Sequence, residues 1–197
     1  MAVLEALAQG AQALIFDCDG TLVDTPDLYA HAWQSAFEAA GLKMTADWYH
    51  ERAGMSEHVL MDAYETGFGA VPDREKIVAT MRQIVMQRLG EVREIPAVVE
   101  IARQYGGGKP MAVASGGPRS IVLASLRGTG LLPLFDAVVT IEDVAHAKPS
   151  PDLFIEAARR LQVPPGQCLV FEDSPQGLQA ARNAGMEAID VNAIIAC

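Results

Sequence analysis

Cysteine is scarce in this chain: three in 197 residues, at positions 18, 168 and 197. They are far apart and odd in number, and no CxxC pair or His/Cys cluster accompanies them. A disulfide framework and a thiolate zinc site are therefore excluded, and a reducing compartment is the natural setting. Aromatic residues make up only 6%, and basic residues are outnumbered, fifteen Lys and Arg against twenty-five Asp and Glu, for a net charge of −10. Such a chain repels phosphate backbones, which argues against nucleic acid as a partner. No apolar run approaches the ~18–20 residues of a membrane span. The leading segment MAVLEALAQGAQALIFD lacks a basic start and is broken by Glu5, so it is not read as a signal peptide. The expectation is a soluble, cytoplasmic protein with no membrane partner. Half of the residues are hydrophobic, too many for intrinsic disorder. A chain of this length buries roughly 70% of its unfolded surface, as one domain or a domain carrying an insertion.

What is present is a rhythm. Ala13-Leu14-Ile15-Phe16 and Cys168-Leu169-Val170-Phe171 are short apolar runs ending at acidic residues, the pattern of strands buried on both faces. Met111–Ala114, Ala137–Thr140 and Ala188–Val191 are further strand candidates. Helical patterns lie between them, at Pro118–Arg127, Pro151–Leu161 and Pro175–Ala184, each opened by a proline suited to a first turn. Alternation of strand and helix over residues 95 to 192 predicts an α/β fold with a doubly wound parallel sheet. Residues 25–93 break the rhythm and read as helices only: Pro26–Ala40, Ser56–Thr66 and Asp73–Leu89. They predict a small all-α cap inserted into a core of residues 1–24 and 94–197. Gly106-Gly107-Gly108 precedes a strand rather than following one, so it reads as a turn and not a phosphate loop.

In open α/β sheets, ligands bind beyond the carboxyl ends of the strands. Four such ends carry Asp17-Cys18-Asp19-Gly20-Thr21, Ser115-Gly116-Gly117, an acidic turn before Lys148-Pro149, and Glu172-Asp173-Ser174. Asp17 and Asp19, two apart on an extended segment, point the same way, and adjacent carboxylates repel unless a cation sits between them. Carboxylate oxygens suit a hard cation such as Mg²⁺, with Asp173 completing the set and Glu172 a weaker candidate. Lys148 adds a fixed positive charge, and Ser115 with the amides of Gly116 and Gly117 can donate to an anion. This combination suits a phosphoryl group, and Asp17 can serve as its covalent acceptor. Cys18 points away between the two aspartates and reads as core.

Asp17-Cys18-Asp19-Gly20-Thr21-Leu22-Val23-Asp24 resembles the first motif of the haloacid-dehalogenase-like hydrolase superfamily, DxDGTLxD. Ser115, Lys148-Pro149 and Glu172-Asp173-Ser174 fall in order like its second, third and fourth motifs, and the segments Lys148–Phe154 and Phe171–Met186 extend the likeness. The resemblance implies a Rossmann-like core with a helical cap, and hydrolysis of a small phosphorylated metabolite. It implies Asp17 as nucleophile and Asp19 as acid and base. Ser115, Gly116 and Lys148 would hold the phosphoryl group. The metal would rest on Asp17, Asp173 and the carbonyl of Asp19, with Glu172 in or beside its shell. Dehalogenases of the superfamily lack an aspartate at the position of Asp19, so that residue implies phosphate-ester chemistry.

The cap resembles that of β-phosphoglucomutase and related sugar-phosphate phosphatases, with two departures: Tyr29 stands where those relatives carry histidine, and Glu57 where they carry arginine. A mutase must hold a second phosphate, which Glu57 would repel, so hydrolysis is preferred to phosphate migration. Arg52 is a possible anion contact beside a solvated helix-end role, and His146 is the histidine best placed to line the site. Trp33 and Phe37 read as cap core that could border the crevice. A non-catalytic phosphoacceptor module of receiver type is the alternative of another class, disfavoured by the cap and Asp19. Nothing in the sequence sets the oligomeric state.

Overall fold

The computed structural model describes residues 7–69, 71 and 73–195. The readings of Glu5 in the leading segment and of Cys197 lie outside them. In chain order the strands are β1 (Ala13–Phe16), β2 (Val23–Asp24), β3 (Arg93–Glu94), β4 (Met111–Ala114), β5 (Ala137–Val139), β6 (Cys168–Glu172) and β7 (Glu187–Asp190). The helices are α1 (Pro26–Ala39), α2 (Ala46–His50), α3 (Glu57–Phe68), α4 (Arg74–Arg88), α5 (Pro96–Tyr105), α6 (Arg119–Gly128), α7 (Asp152–Leu161), α8 (Pro175–Asn183) and α9 (Asn192–Ile195). No described helix is long and apolar enough to cross a membrane.

Five strands form one parallel sheet in the order β5-β4-β1-β6-β7. The fold is α/β, with helices on both faces. Strand alternation builds both layers of core. Leu14, Phe16, Met111, Val113, Leu169 and Phe171 face one side, where α5 and α6 supply Val98, Val99, Val122 and Leu126. Ala13, Ile15, Ala112, Ala114 and Val170 face the other, against Leu153, Phe154 and Ala157 of α7 and Ala180 and Ala181 of α8. Phe16 and Phe171 stack across the β1–β6 register at 4.6 Å, an aromatic pair that adds to the area both rings bury. The three central strands are buried along their whole length, and the edge strand β7 is not.

The helical insertion leaves and rejoins the core through an antiparallel two-stranded ribbon, Val23 opposite Glu94 and Asp24 opposite Arg93. Helices α1 to α4 pack around an apolar centre of their own, including Trp33, Phe37, Leu60, Met61, Tyr64 and Met81, and Ile121 of α6 joins it. Phe37 and Tyr64 meet at 4.4 Å. Helix α2 was not among the expected helices. It has only five residues, held by a Thr45 side chain that accepts from the Trp48 amide, too short for a 3.6-residue period to register. Two of the three expected helix-opening prolines, Pro118 and Pro151, sit at the N-cap, while Pro175 is the first helical residue.

Candidate active site

The chain winds outward from β1 through β4 to β5, then crosses to β6 and β7 on the other side. The crevice therefore lies at the carboxyl ends of β1, β4 and β6, where the winding reverses. Asp17 follows β1 directly, its amide donating to the Phe171 carbonyl at 2.9 Å. Ser115 follows β4, its amide donating to the Val139 carbonyl at 3.0 Å. Glu172 ends β6, and Lys148 comes in on the loop between β5 and α7.

Lys148 is 4% exposed, and its Nζ donates to Asp17 Oδ1 at 2.6 Å and to Glu172 Oε2 at 2.5 Å. Burial works against its charge, but Asp17 and Glu172 overcome that and hold the ammonium above its usual range. Glu172 Oε1 accepts from the Ser174 hydroxyl at 2.8 Å and the Ser174 amide at 3.0 Å. Both of its oxygens are thus engaged, and Glu172 braces Lys148 and the turn into α8. That turn requires Gly177, where any Cβ would overlap the Glu172 side chain.

Asp17, Glu172 and Asp173 each bring one oxygen within 4.8 Å of the others. Three carboxylates and one ammonium leave two formal negative charges. Burial first, then Glu172, pushes the Asp17 carboxyl well above the ordinary range. The same two causes raise Asp173 to about 7. Oxygen donors alone, with excess negative charge, fit a hard divalent cation such as Mg²⁺. Thr21 orients Asp173 by donating to Oδ1 at 3.0 Å. Gly20, at φ +84°, lies so close to Asp173 that a Cβ would overlap its carboxylate.

Asp19 contributes no side-chain oxygen to that trio. It accepts from Thr25 Oγ1 at 2.8 Å and from Ser115 Oγ at a long 3.5 Å. Burial raises its carboxyl, opposed by the Thr25 hydrogen bond. Ser115 Oγ in turn accepts from the Gly117 amide at 3.0 Å. Asp17, Asp19, Ser115, Gly116, Gly117 and Pro118 form the floor of a cleft of about 470 Å³, part of it open to solvent. Tyr29, Trp33, Tyr49, Gly54, Met55 and Glu57 of the helical insertion form its roof. Two carboxylates raised by burial and a hydroxyl-amide wall face one space that the helices close over, and buried Lys148 holds one of those carboxylates, Asp17.

The haloacid dehalogenase-like hydrolase family matches residues 14–191. The chain belongs to this family. It is 36% identical over 178 residues to the fructose-1-phosphate phosphatase YqaB of Escherichia coli (strain K12), spanning 90% of this chain and 95% of that protein. It is 32% identical over 185 residues to the phosphorylated carbohydrates phosphatase of Thermotoga maritima, spanning 90% and 83%. Its fold matches the crystal structure of CbbY from Rhodobacter sphaeroides in complex with phosphate at TM-score 0.80 and 26% identity, over 90% of this chain and 84% of that one. Named phosphatases so similar over nearly their full length support phosphatase activity in this hydrolase.

Other residues singled out from the hydrolase's sequence fall differently. Arg52 is spent within the helical insertion: it donates to the Trp48 carbonyl at 2.9 Å and Glu51 at 3.0 Å, and stacks on the Trp48 ring. His146 does not line the cleft. Its side chain is 75% exposed and its Nδ1 lies 2.9 Å from Asp152. Trp33 borders the cleft, whereas Phe37 is wholly interior. Cys18 is buried in the core layer with Phe16 and Leu22. Glu57 is forked by Arg82, from Nε at 2.8 Å and from Nη2, which offsets the charge expected to repel a second phosphate. Sequence reasoning singled out Tyr29 only as a departure from the relatives' histidine, and did not find Thr25 or Tyr49 as site residues. Thr25 carries a signal, a hydroxyl beside the end of the first motif; Tyr49 carries none, being one aromatic in a five-residue helix.

Proposed function

We propose that this hydrolase cleaves small phosphate monoesters, sugar phosphates foremost, through an aspartyl phosphate on Asp17 with Mg²⁺ bound. The observation that carries the reading is the pairing of functions on one cleft floor: Asp17 held by buried Lys148, with Asp19 beside it and held by Thr25. The metal would rest on Asp17, Asp173 and the backbone carbonyl of Asp19, with Glu172 beside it, and would supply positive charge opposite the phosphoryl oxygens.

Asp17 attacks phosphorus and the bond to the ester oxygen breaks. Asp19, held beside Asp17 by the Thr25 hydroxyl, protonates the leaving alkoxide. The resulting Asp19 carboxylate then takes a proton from water, which attacks the same phosphorus, releases phosphate and restores Asp17. Lys148 offsets charge on Asp17 and on the transferring group, and Ser115 and Gly116 hold phosphoryl oxygens. We assign this chemistry to a core of residues 1–24 and 94–197, with 25–93 as the cap that encloses the substrate. Sugar phosphates follow from the named substrates of the relatives. The free, buried Cys18 and Cys168 fit a reducing, cytoplasmic setting.

Hydrolysis is favoured over phosphate migration because no Lys or Arg is among the described residues lining the cleft. A mutase needs cations for a second phosphate, and here Arg52 and Arg82 are committed elsewhere. The test is a phosphate-release panel of sugar phosphates, nucleotides and glycolytic acids. Release from sugar phosphates, abolished by EDTA and restored by Mg²⁺, is expected. Isomerisation of a hexose 1-phosphate without free phosphate would reinstate the mutase. No release from any ester would reinstate a non-catalytic phosphoacceptor.

A further inference from the structure

The Tyr29 hydroxyl has no hydrogen-bond partner although it is shielded from solvent, and the residue is only 8% exposed. Leaving a buried hydroxyl unpaired is costly, and folded proteins pair the large majority of such groups. Three other buried side-chain atoms are unpaired among the described residues, on Tyr105, Ser125 and Gln176, and none of those residues lines the cleft. Tyr29 does, in the roof opposite Asp17 and Asp19. Tyr29 and Asp19 line the same cleft, so the phenol and the proposed acid share the space that a substrate would fill. Burial keeps the phenol protonated, a neutral donor.

We propose that Tyr29 is a specificity-determining residue: its hydroxyl hydrogen-bonds a substrate hydroxyl on the carbon adjacent to the esterified one, so that phosphates of polyols are selected over phosphates of simple alcohols. The inference rests on the phosphatase reading and names the substrate chemistry of the same site. A phenol can donate and accept, and so can an alcohol, so the pair satisfies both hydroxyls once substrate is bound. Alcohols without the neighbouring hydroxyl leave the phenol unpaired, which is the discriminating element.

The experiment compares the wild-type protein with Tyr29→Phe, which keeps the ring and removes only the hydroxyl. The substrates are fructose 1-phosphate, glycerol 3-phosphate and its matched analogue propyl phosphate. In the variant, the kcat/KM preference for the two polyol phosphates over propyl phosphate is expected to fall about tenfold, the worth of one neutral hydrogen bond. The melting temperature of the free variant is expected not to fall, because no protein partner is lost. An unchanged preference in an active variant overturns the inference alone. A lowered melting temperature with equal rate losses on all three esters shows a purely structural hydroxyl and also overturns it. No turnover of any of the three by the wild type overturns the sugar-phosphate reading, and the inference with it.

Discussion

Removing Lys148 isolates what the buried charge cluster contributes. In Lys148→Met, Asp17 and Glu172 lose an ammonium at 2.6 and 2.5 Å. At an effective dielectric of about 20, each contact is worth roughly 6 kcal/mol of gross attraction. Most of that is offset because the ammonium no longer has to be desolvated, and breaking one side of a buried pair typically nets a loss of about 3–5 kcal/mol. For a chain of this length that lowers the melting temperature by roughly 6–20 °C. The pH dependence has a definite sign. Burial, then Glu172, already raises the Asp17 and Asp173 carboxyls, the latter to about 7 from 3.8. A raised carboxyl contributes stability that is fully present below its unfolded pKa and is lost as pH rises through the folded one. Without Lys148 these groups rise further, so the deficit is greatest above pH 7 and shrinks toward pH 4. Urea denaturation in EDTA across that range measures it. Adding Glu172→Gln removes one orphaned carboxylate and recovers part of the loss. A single variant within about 1 kcal/mol of wild type at pH 8 would refute the claim that Lys148 compensates two buried carboxylates.

Three further outcomes follow from the same geometry. Asp19→Asn should cost roughly 10²–10⁴-fold in kcat on alkyl phosphates and much less on 4-nitrophenyl phosphate, whose leaving group needs no proton; equal losses on both would remove Asp19 from the acid role. Gly177→Ala should destabilise by about 1–3 kcal/mol in thermal unfolding, because its Cβ overlaps Glu172, against the helix preference for alanine; a stabilised variant would show that the turn relaxes freely. Burial raises the Cys18 thiol far above its usual range and Cys168 to about 11, so peptide mapping should find both alkylated on the order of 10²-fold more slowly in the native protein at pH 8 than in urea. Rapid native labelling of either would contradict its burial.

The sheet was legible in the sequence because its strands are buried on both faces and read as unbroken apolar runs, as in Leu14-Ile15-Phe16 and Leu169-Val170-Phe171. The edge strand was displaced by one residue, to Glu187–Asp190 from Ala188–Val191, where partial exposure weakens the pattern. The juxtaposition of acidic residues from two strand ends was also legible: Asp17 lies with Glu172 and Asp173, and lines one cleft with Asp19. What spacing could not give was the division of labour within the acidic set. Glu172 is engaged on both oxygens, by Lys148 and by Ser174, from distant and adjacent segments alike. The inserted segment was legible as helices but not as a cleft roof, because Tyr29, Tyr49 and Glu57 meet the core only through tertiary packing. The commitment of Arg82 to Glu57 spans two helices and has no local signature.

The covalent role of Asp17 is tested most directly by phosphate release from a saturating sugar phosphate by Asp17→Asn in the presence of Mg²⁺. A loss of at least roughly 10³-fold in kcat, with the folded structure retained, is the predicted result; turnover within about tenfold of wild type would contradict an aspartyl phosphate at this residue.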